Sequence, residues 1–547
     1  MELKVLSHLD VARIQLYHFR AIIVAGMGFL TDAYNVFCIP PISNLLEKLY
    51  YGGNMSLATS TAVNGIALCG ILVGNIFFGR LGDRMGRKNV YEITLILIMG
   101  GSFGSGFSLG KSPRLVVATL CFFRFWLGVG IGGDYPLSAT IIAEYANTKS
   151  RGAFMSAVFA MYSVGMLAAS GVAMVVSARF KGLYPNQSLG EKDILWRILL
   201  MLGAVPAVVT FYWRMKVPET ARFTALVARD VDKAAADMSK VLAISINDDE
   251  ADVIRIRSSR PSFRLFSKAF MKLHGKHLVG TMSSWFFLDL AFYGSNLYQK
   301  ELYSFVGWLK KPEEYENPVD EVFHIARAQV LITLCGTLPG CLANVFLIDR
   351  FGRFKIQLFG FLLVSVWITA IALPLDTYWQ DPSNKIGFLA IYSLACFFLT
   401  FGPTSTTFIV PEELFPARLR STCHGLSAAA GKVGGLIGTF GFVFASTKLG
   451  PKKTLLLLAV GSFLGFLCTF LIPETMGRSL EENEREIGLS ESDSSHGYSI
   501  HTTADTSDSS RIYGSGNLKL QRTHDSSGDP IANSSEMLHS PQNRVHY

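Results

Sequence analysis

At 547 residues, 50% hydrophobic and only 17% charged, with a mean hydropathy of +0.33, the chain is too apolar for a soluble protein of this length. Its formal net charge of +8 does not read as nucleic-acid binding, because Lys and Arg are scattered in short loops rather than gathered in a stripe with exposed aromatics. Its eight cysteines form no CxxC pair and sit mostly in apolar runs, so they indicate neither a zinc site nor a disulfide framework; no metal and no cofactor are expected.

Residues 1–20 are polar and amphipathic and lack the features of a cleaved signal peptide, so the first membrane helix is expected to serve as an uncleaved insertion signal. Apolar runs of about 20 residues, the length that crosses a bilayer core, predict twelve spans: 21–41, 59–79, 90–109, 114–141, 153–178, 194–215, 278–300, 326–348, 354–375, 386–409, 422–446 and 453–472. The loop from Val217 to His277 carries eleven Lys and Arg, whereas Gln299 to Ile325 carries three against six acids. The first loop is therefore expected on the cytoplasmic side, and both termini with it. The sequons Asn54-Met55-Ser56 and Asn186-Gln187-Ser188 then fall in outer loops, in agreement, although such triplets also arise by chance.

These loops divide the chain into a cytoplasmic N-terminus (1–20), a six-helix bundle (21–216), a cytoplasmic linker (217–277), a second six-helix bundle (278–475) and a cytoplasmic tail (476–547). The linker has helical stretches such as Val231 to Leu242. From Glu481 onward the tail is too poor in aliphatic residues to bury a core and reads as disordered. Its serines and the central loop suit a regulatory kinase; an inert tail is an equal alternative.

An internal repeat supports six plus six. Asp83-Arg84-Met85-Gly86-Arg87 after the second span recurs as Asp349-Arg350-Phe351-Gly352-Arg353 after the eighth. Glu144 and Arg151 correspond to Glu413 and Arg420, and Pro218-Glu219-Thr220 is echoed by Pro473-Glu474-Thr475. Two similar halves imply a pseudo-two-fold transporter with its site between them. The charged repeats read as inner-face latches; plain positive-inside loop chemistry is the alternative.

Charges inside apolar runs cost roughly 2.5 to 3.5 kcal/mol each on insertion scales and must face something polar. Arg124 and Asp134 lie in one such run, and Asp32, Asp289 and Lys432 in three others. Arg124 and Asp134 are about 15 Å apart along a helix, and the glycines between them permit either close helix approach or local unwinding. Gly128-x-Gly130-x-x-Gly133 is not a dinucleotide fingerprint, because no strand precedes it. Asp32, Asp289 and Lys432 each follow a cytoplasmic basic residue at about 18 Å, near the bilayer midplane. An aspartate and a lysine at common depth in opposite halves make a midplane binding site the leading reading, with a structural ion pair as the alternative. Trp285, Asp289 and Tyr293 share one helical face. A lysine with Tyr, Trp and Thr donors suits a small oxyanion. An ionised Asp289 beside that anion would be unfavourable, so anion and proton are expected to bind together.

Several motifs carry a resemblance. Gly79 to Lys88 (GRLGDRMGRK) resembles the loop signature of the major facilitator superfamily. Gly132-Gly133-Asp134-Tyr135-Pro136-Leu137-Ser138 with Ala143-Glu144-Tyr145 is similar to the signature of plant and fungal phosphate:proton symporters, the high-affinity inorganic phosphate transporters. The resemblance runs from Thr31-Asp32-Ala33-Tyr34 to Pro473-Glu474-Thr475. It implies the major facilitator fold, an all-α membrane protein with twelve transmembrane helices in two pseudo-symmetric halves. It further implies that Tyr135, Trp285, Asp289, Tyr293 and Lys432 surround phosphate, with Asp289 as the proton-coupled carboxyl and Asp32, Arg124 and Asp134 on the proton pathway. Three positions depart from the family pattern. Asn35 replaces a second aspartate, Tyr162 a phosphate-contacting glutamine and Thr404 an asparagine, the last two still able to donate hydrogen bonds.

The expected function is inward proton-coupled phosphate symport across a plant-type plasma membrane, with phosphate, protons and the lipid bilayer as partners. Two rivals stay open: another oxyanion or organic solute on the same fold, and a phosphate sensor that binds without turnover. An enzyme is not expected, because no nucleophile with a neighbouring base, Walker loop or metal spacing is visible.

Overall fold

Apolar runs measure only the hydrocarbon thickness, so the helices that contain them extend further at both ends. The computed structural model describes residues 16–183, 189–216, 219–228, 264–297, 299–310, 314–315 and 317–480. Most of the linker including Val231 to Leu242, the Asn186 sequon and the tail from 481 lie outside the described residues. The Asn54 sequon is exposed.

The first membrane segment is α1 (Leu16–Phe37), broken at Cys38 and continued by α2 (Ile39–Tyr51). The break follows from Pro40 and Pro41, which have no N–H to continue the ladder. Next come α3 (Leu57–Met85), α4 (Arg87–Gly106), α5 (Pro113–Tyr145) and α6 (Arg151–Leu183), then α7 (Leu189–Leu202) and α8 (Val205–Met215) as one interrupted segment, and the short α9 (Ala221–Leu226). The second half runs α10 (Lys268–Asn296), α11 (Gln299–Phe305) and α12 (Pro318–Ile332), which passes through a π-helical turn (Thr333–Thr337) into α13 (Leu338–Phe351). It ends with α14 (Arg353–Ala372), α15 (Lys385–Leu399), a second π turn (Thr400–Thr404), α16 (Ser405–Leu414), α17 (Arg420–Leu449) and α18 (Pro451–Thr469).

Among the described residues these helices make the twelve expected segments, ten of them apolar enough over 18 residues to cross a membrane by composition. The other two, Arg87–Gly106 and Lys268–Asn296, are diluted by basic and small polar residues. Hydroxyl or amide caps start several helices: Ser56, Ser112, Ser267 and Asn317 each accept a hydrogen bond from a first-turn amide.

The glycines of α5 serve close approach, and α5 runs without unwinding from Pro113 to Tyr145. A Cβ at Gly128 or Gly132 would strike the carbonyl oxygens of Ala67 or Ile71 on α3. The repeated loops between α3 and α4 and between α13 and α14 turn on Gly86 (φ 96°) and Gly352 (φ 88°), a conformation other residues adopt only with strain. Pro403 opens the second π turn, where Thr404 Oγ1 and Ser405 Oγ donate to the carbonyls of Leu399 and Thr400 five residues back. The described helices pack as one unit, and the main apolar core runs through the seam between the halves, where Phe29, Tyr135, Phe159, Tyr162, Phe292 and Phe408 interlock.

A candidate substrate site at the seam between the halves

The α10 face read from sequence meets α17 at the centre of the seam. Lys432 Nζ donates to Asp289 Oδ2 at 2.7 Å and to the Tyr293 hydroxyl at 3.2 Å. Both charged residues are almost wholly buried, at 2% and 4% exposure. The ammonium also lies over the rings of Tyr135 (5.3 Å) and Tyr293 (4.8 Å), so aromatic faces supply part of its solvation. Tyr162 OH and Tyr293 OH are 3.2 Å apart. Tyr135, Tyr162, Trp285, Asp289, Tyr293, Thr404 and Lys432 line one small cavity of about 20 Å³, room for about one water. Thr404 reaches the lining, but its hydroxyl donates to Leu399 rather than into the cavity. A Cβ at Gly431 would meet the Trp285 ring and come within 3.0 Å of Asp289 Oδ2, so a glycine is needed where α17 passes the carboxyl.

The chemistry available here is an exchange of partners. A buried ion pair is costly unless both charges are matched, and breaking it by removing one partner is costlier still. An anion that takes Lys432 would therefore leave Asp289 needing a proton, while Tyr135, Tyr162 and Tyr293 offer hydroxyls within the same cavity.

A second polar cluster lies behind Tyr135. Asp134 accepts from Arg214 Nη1 at 3.4 Å and Nη2 at 3.3 Å, and from Ser138 Oγ at 3.3 Å. Arg214 stacks over the Tyr91 ring at 4.5 Å. Asp32 faces Asp134 and Arg214 and is completely buried. Phe29 packs edge-on against Tyr135 at 5.2 Å, setting aromatic rings between this cluster and Lys432. Arg124 is not brought to it. Its Nη1 donates to the Asn35 carbonyl at 2.8 Å, where the break before Pro40 ends α1 and a cation suits the exposed carbonyls. The Asn35 side chain is itself tied down, donating to Thr31 and Gly203 and accepting from Ser102.

The repeated loop motifs form two related sets of bonds at one end of the molecule, the latches expected from the sequence if they open and close. Asp83 crosses the seam to accept from the Ser421 and Thr422 amides and the Thr422 hydroxyl at the start of α17 (3.3, 2.7 and 2.7 Å). Its counterpart Asp349 crosses the other way, accepting from the Ala153 amide at the start of α6 at 2.7 Å. Each carboxylate meets the positive end of a helix in the opposite half. Arg87 donates to Glu144 (3.3 Å) and to the Ala417 carbonyl (2.8 Å), Arg420 to Glu144 (2.9 Å), and Arg353 to Glu413 through two bonds (3.0 and 2.8 Å). Arg151 donates to the Arg478 carbonyl at 3.1 Å. Glu219 and Glu474 play matching parts: each accepts from the first two amides of the helix that follows a repeated loop, α4 and α14 respectively. Burial pushes Glu219 above the ordinary carboxylate range, and the Thr220 amide, the Arg87 charge and the Lys88 amide oppose that rise. Arg84 and Arg350 are exposed, as are Met85 and Phe351 beside them.

The opposite end is also tied. Glu321 on α12, 1% exposed, pairs with Lys48 of α2 at 2.9 Å and Lys300 of α11 at 3.0 Å, and accepts from Asn44. Sequence reasoning missed Glu321 and Arg214, because each sits where an apolar run meets a loop and reads as loop charge. It also missed Glu412 and His424, both completely buried, the latter packed against Trp285.

Solved structures share this architecture. The proton:xylose symporter XylE bound to 6-bromo-6-deoxy-D-glucose aligns with a TM-score of 0.66 at 19% identity, covering 86% of this chain and 99% of that one. A double Trp mutant of XylE aligns at 0.69 and 20%, with the same coverage. The fold is that of the major facilitator superfamily, and the family match and relatives make the chain a multi-pass membrane transporter rather than an enzyme. The model of the sugar (and other) transporter family matches residues 21–487, and the chain belongs to that family. Its relatives include low affinity inorganic phosphate transporter 3 of Petunia hybrida, 53% identical over 514 residues (89% of this chain, 95% of the relative), and inorganic phosphate transporter 1-1 of Arabidopsis thaliana, 51% identical over 518 residues (89% and 98%).

Proposed function

We propose that the protein carries inorganic phosphate into the cell together with protons, by alternating access, across a plasma membrane. The observation that carries this reading is the Lys432–Asp289 pair, 2.7 Å apart in a small cavity ringed by tyrosine hydroxyls and closed at both ends by bonds across the seam. Phosphate takes Lys432 from Asp289, Asp289 takes a proton, and the two charges that would repel become one neutralised site. The halves 21–216 and 278–475 then rock about the seam. The latches built on Asp83 and Asp349 release on the cytoplasmic side while the Glu321 cluster holds the outside, and the reverse. Arg214, Asp134 and Asp32 give protons a second buried carboxyl pair within reach of the site, and both termini lie in the cytoplasm.

The reading is tested by phosphate accumulation in proteoliposomes under an imposed proton gradient, with sulfate and nitrate as competitors. A second reading, an oxyanion other than phosphate, is favoured by one observation. Thr404 spends its hydroxyl on Leu399, which removes a donor from the cavity. Sulfate or nitrate driven by the same gradient, with phosphate failing to compete, would decide for it.

A further inference from the structure

Glu412 on α16 and His424 on α17 are a buried titratable pair that neither the substrate site nor the latches use. Both are completely enclosed. His424 Nδ1 lies 2.9 Å from Glu412 Oε1 but off the direction a hydrogen bond requires, and His424 Nε2 and Glu412 Oε2 have no hydrogen-bond partner. Thr140 of α5 reaches across the seam, donating to Glu412 Oε1 at 3.1 Å, and its hydroxyl is 2.8 Å from Ser421 Oγ.

The position is intermediate. Toward the site, the His424 ring packs edge-on against Trp285 with centroids 5.2 Å apart, and Trp285 is one turn from Asp289 on α10. Toward the latch, Ser421 and Thr422 are the residues whose amides Asp83 holds. Asp83 and Cys423 lie within electrostatic reach of Glu412. A purely structural pair gains little over apolar packing of similar volume, and here it leaves a donor or acceptor unmatched on each partner. Imidazole is the side chain that gains and loses a proton near neutral pH.

We propose that Glu412 and His424 form a proton-relay station between Asp289 and the inner latch. The inference rests on the symport reading above. As the inner end opens and phosphate leaves, the Asp289 carboxyl gives up its proton through the admitted water and is again free to pair with Lys432. The proton is taken up at His424 Nε2, the imidazolium is held by Glu412, and it then passes to cytoplasmic water, restoring the neutral ring.

Net uptake requires this deprotonation in every cycle, because the empty carrier must return without its proton. Exchange of internal for external phosphate at equal pH does not require it, since the loaded carrier can return still protonated. The full-length protein with Glu412→Gln, with His424→Gln and with both is reconstituted, and radiolabelled phosphate is followed in the two assays. The expected result is gradient-driven net uptake lowered by about a hundredfold, with exchange kept within about twofold of the native rate. The double variant is no worse than either single one, because the pair acts as one unit. Unchanged net uptake in both single variants would overturn the relay. So would parallel loss of exchange, which marks a structural pair. A native protein inactive in both assays would instead refute the symport reading beneath it.

Discussion

Lys432 and Asp289 each make the other tolerable in an apolar interior, which makes their substitutions unequal. Removing the ammonium with Lys432→Ala costs the anion a charge-assisted bond, so the half-saturation concentration for phosphate uptake should rise about ten- to a hundredfold. Asp289→Asn keeps the shape of the protonated carboxyl. It should still exchange phosphate but fail to accumulate it. The sign of the pH dependence follows, because the neutral carboxyl is the form that coexists with the bound anion. Uptake by the native protein falls as external pH rises, and the Asn variant stays flat over about pH 5 to 8. Thr404→Asn adds an amide donor at the cavity wall and should lower the half-saturation concentration; an unchanged value would show that this wall does not touch the anion. These charges were legible in the sequence because any ionised group inside an apolar run is conspicuous. Arg214 was not, since a basic residue near the end of a span looks like ordinary loop charge. The sequence grouped Arg124 with the proton carboxylates, and the structure sets it instead at the end of α1.

At the scale of elements, the latches are helix caps supplied from the opposite half. Asp83 satisfies two amides and a hydroxyl at the start of α17, so Asp83→Asn should weaken that latch by about 1 to 2 kcal/mol, shifting the balance of states roughly five- to thirtyfold toward inner opening. Cys423, completely buried behind this latch, is a native reporter. Its modification by a thiol reagent should quicken in Asp83→Asn. Glu321→Gln, which removes the carboxylate that Lys48 and Lys300 share at the other end, should slow it by moving the population the other way. The same direction of change in both variants would contradict opposed gates. The DRxGR repeat marked these residues in the sequence, but not their partners, since Asp83 and Thr422 lie 339 residues apart. The π turn at Pro403 and the break at Cys38 carried only the weak signal of proline. The helix ends beyond each apolar run carried none, because polar residues there are held by caps and latches rather than by lipid.

Across the whole molecule, bonds cross the seam at both ends while the cavity at its centre holds about one water. The fold was readable from twelve apolar runs and a repeat in register, since bilayer thickness fixes helix length and internal symmetry fixes the pairing of halves. Which ends are closed was not, because alternating states of a transporter share one sequence and differ in a few exchanged partners. The central claim is that opening is linked to joint binding of phosphate and proton. Radiolabelled phosphate uptake by the purified protein in proteoliposomes, with and without an inward proton gradient, tests it most directly. The account predicts accumulation that the gradient drives, that collapses when the gradient is dissipated, and that sulfate and nitrate do not displace. Phosphate equilibrating across the membrane at the same level with or without the gradient would contradict it.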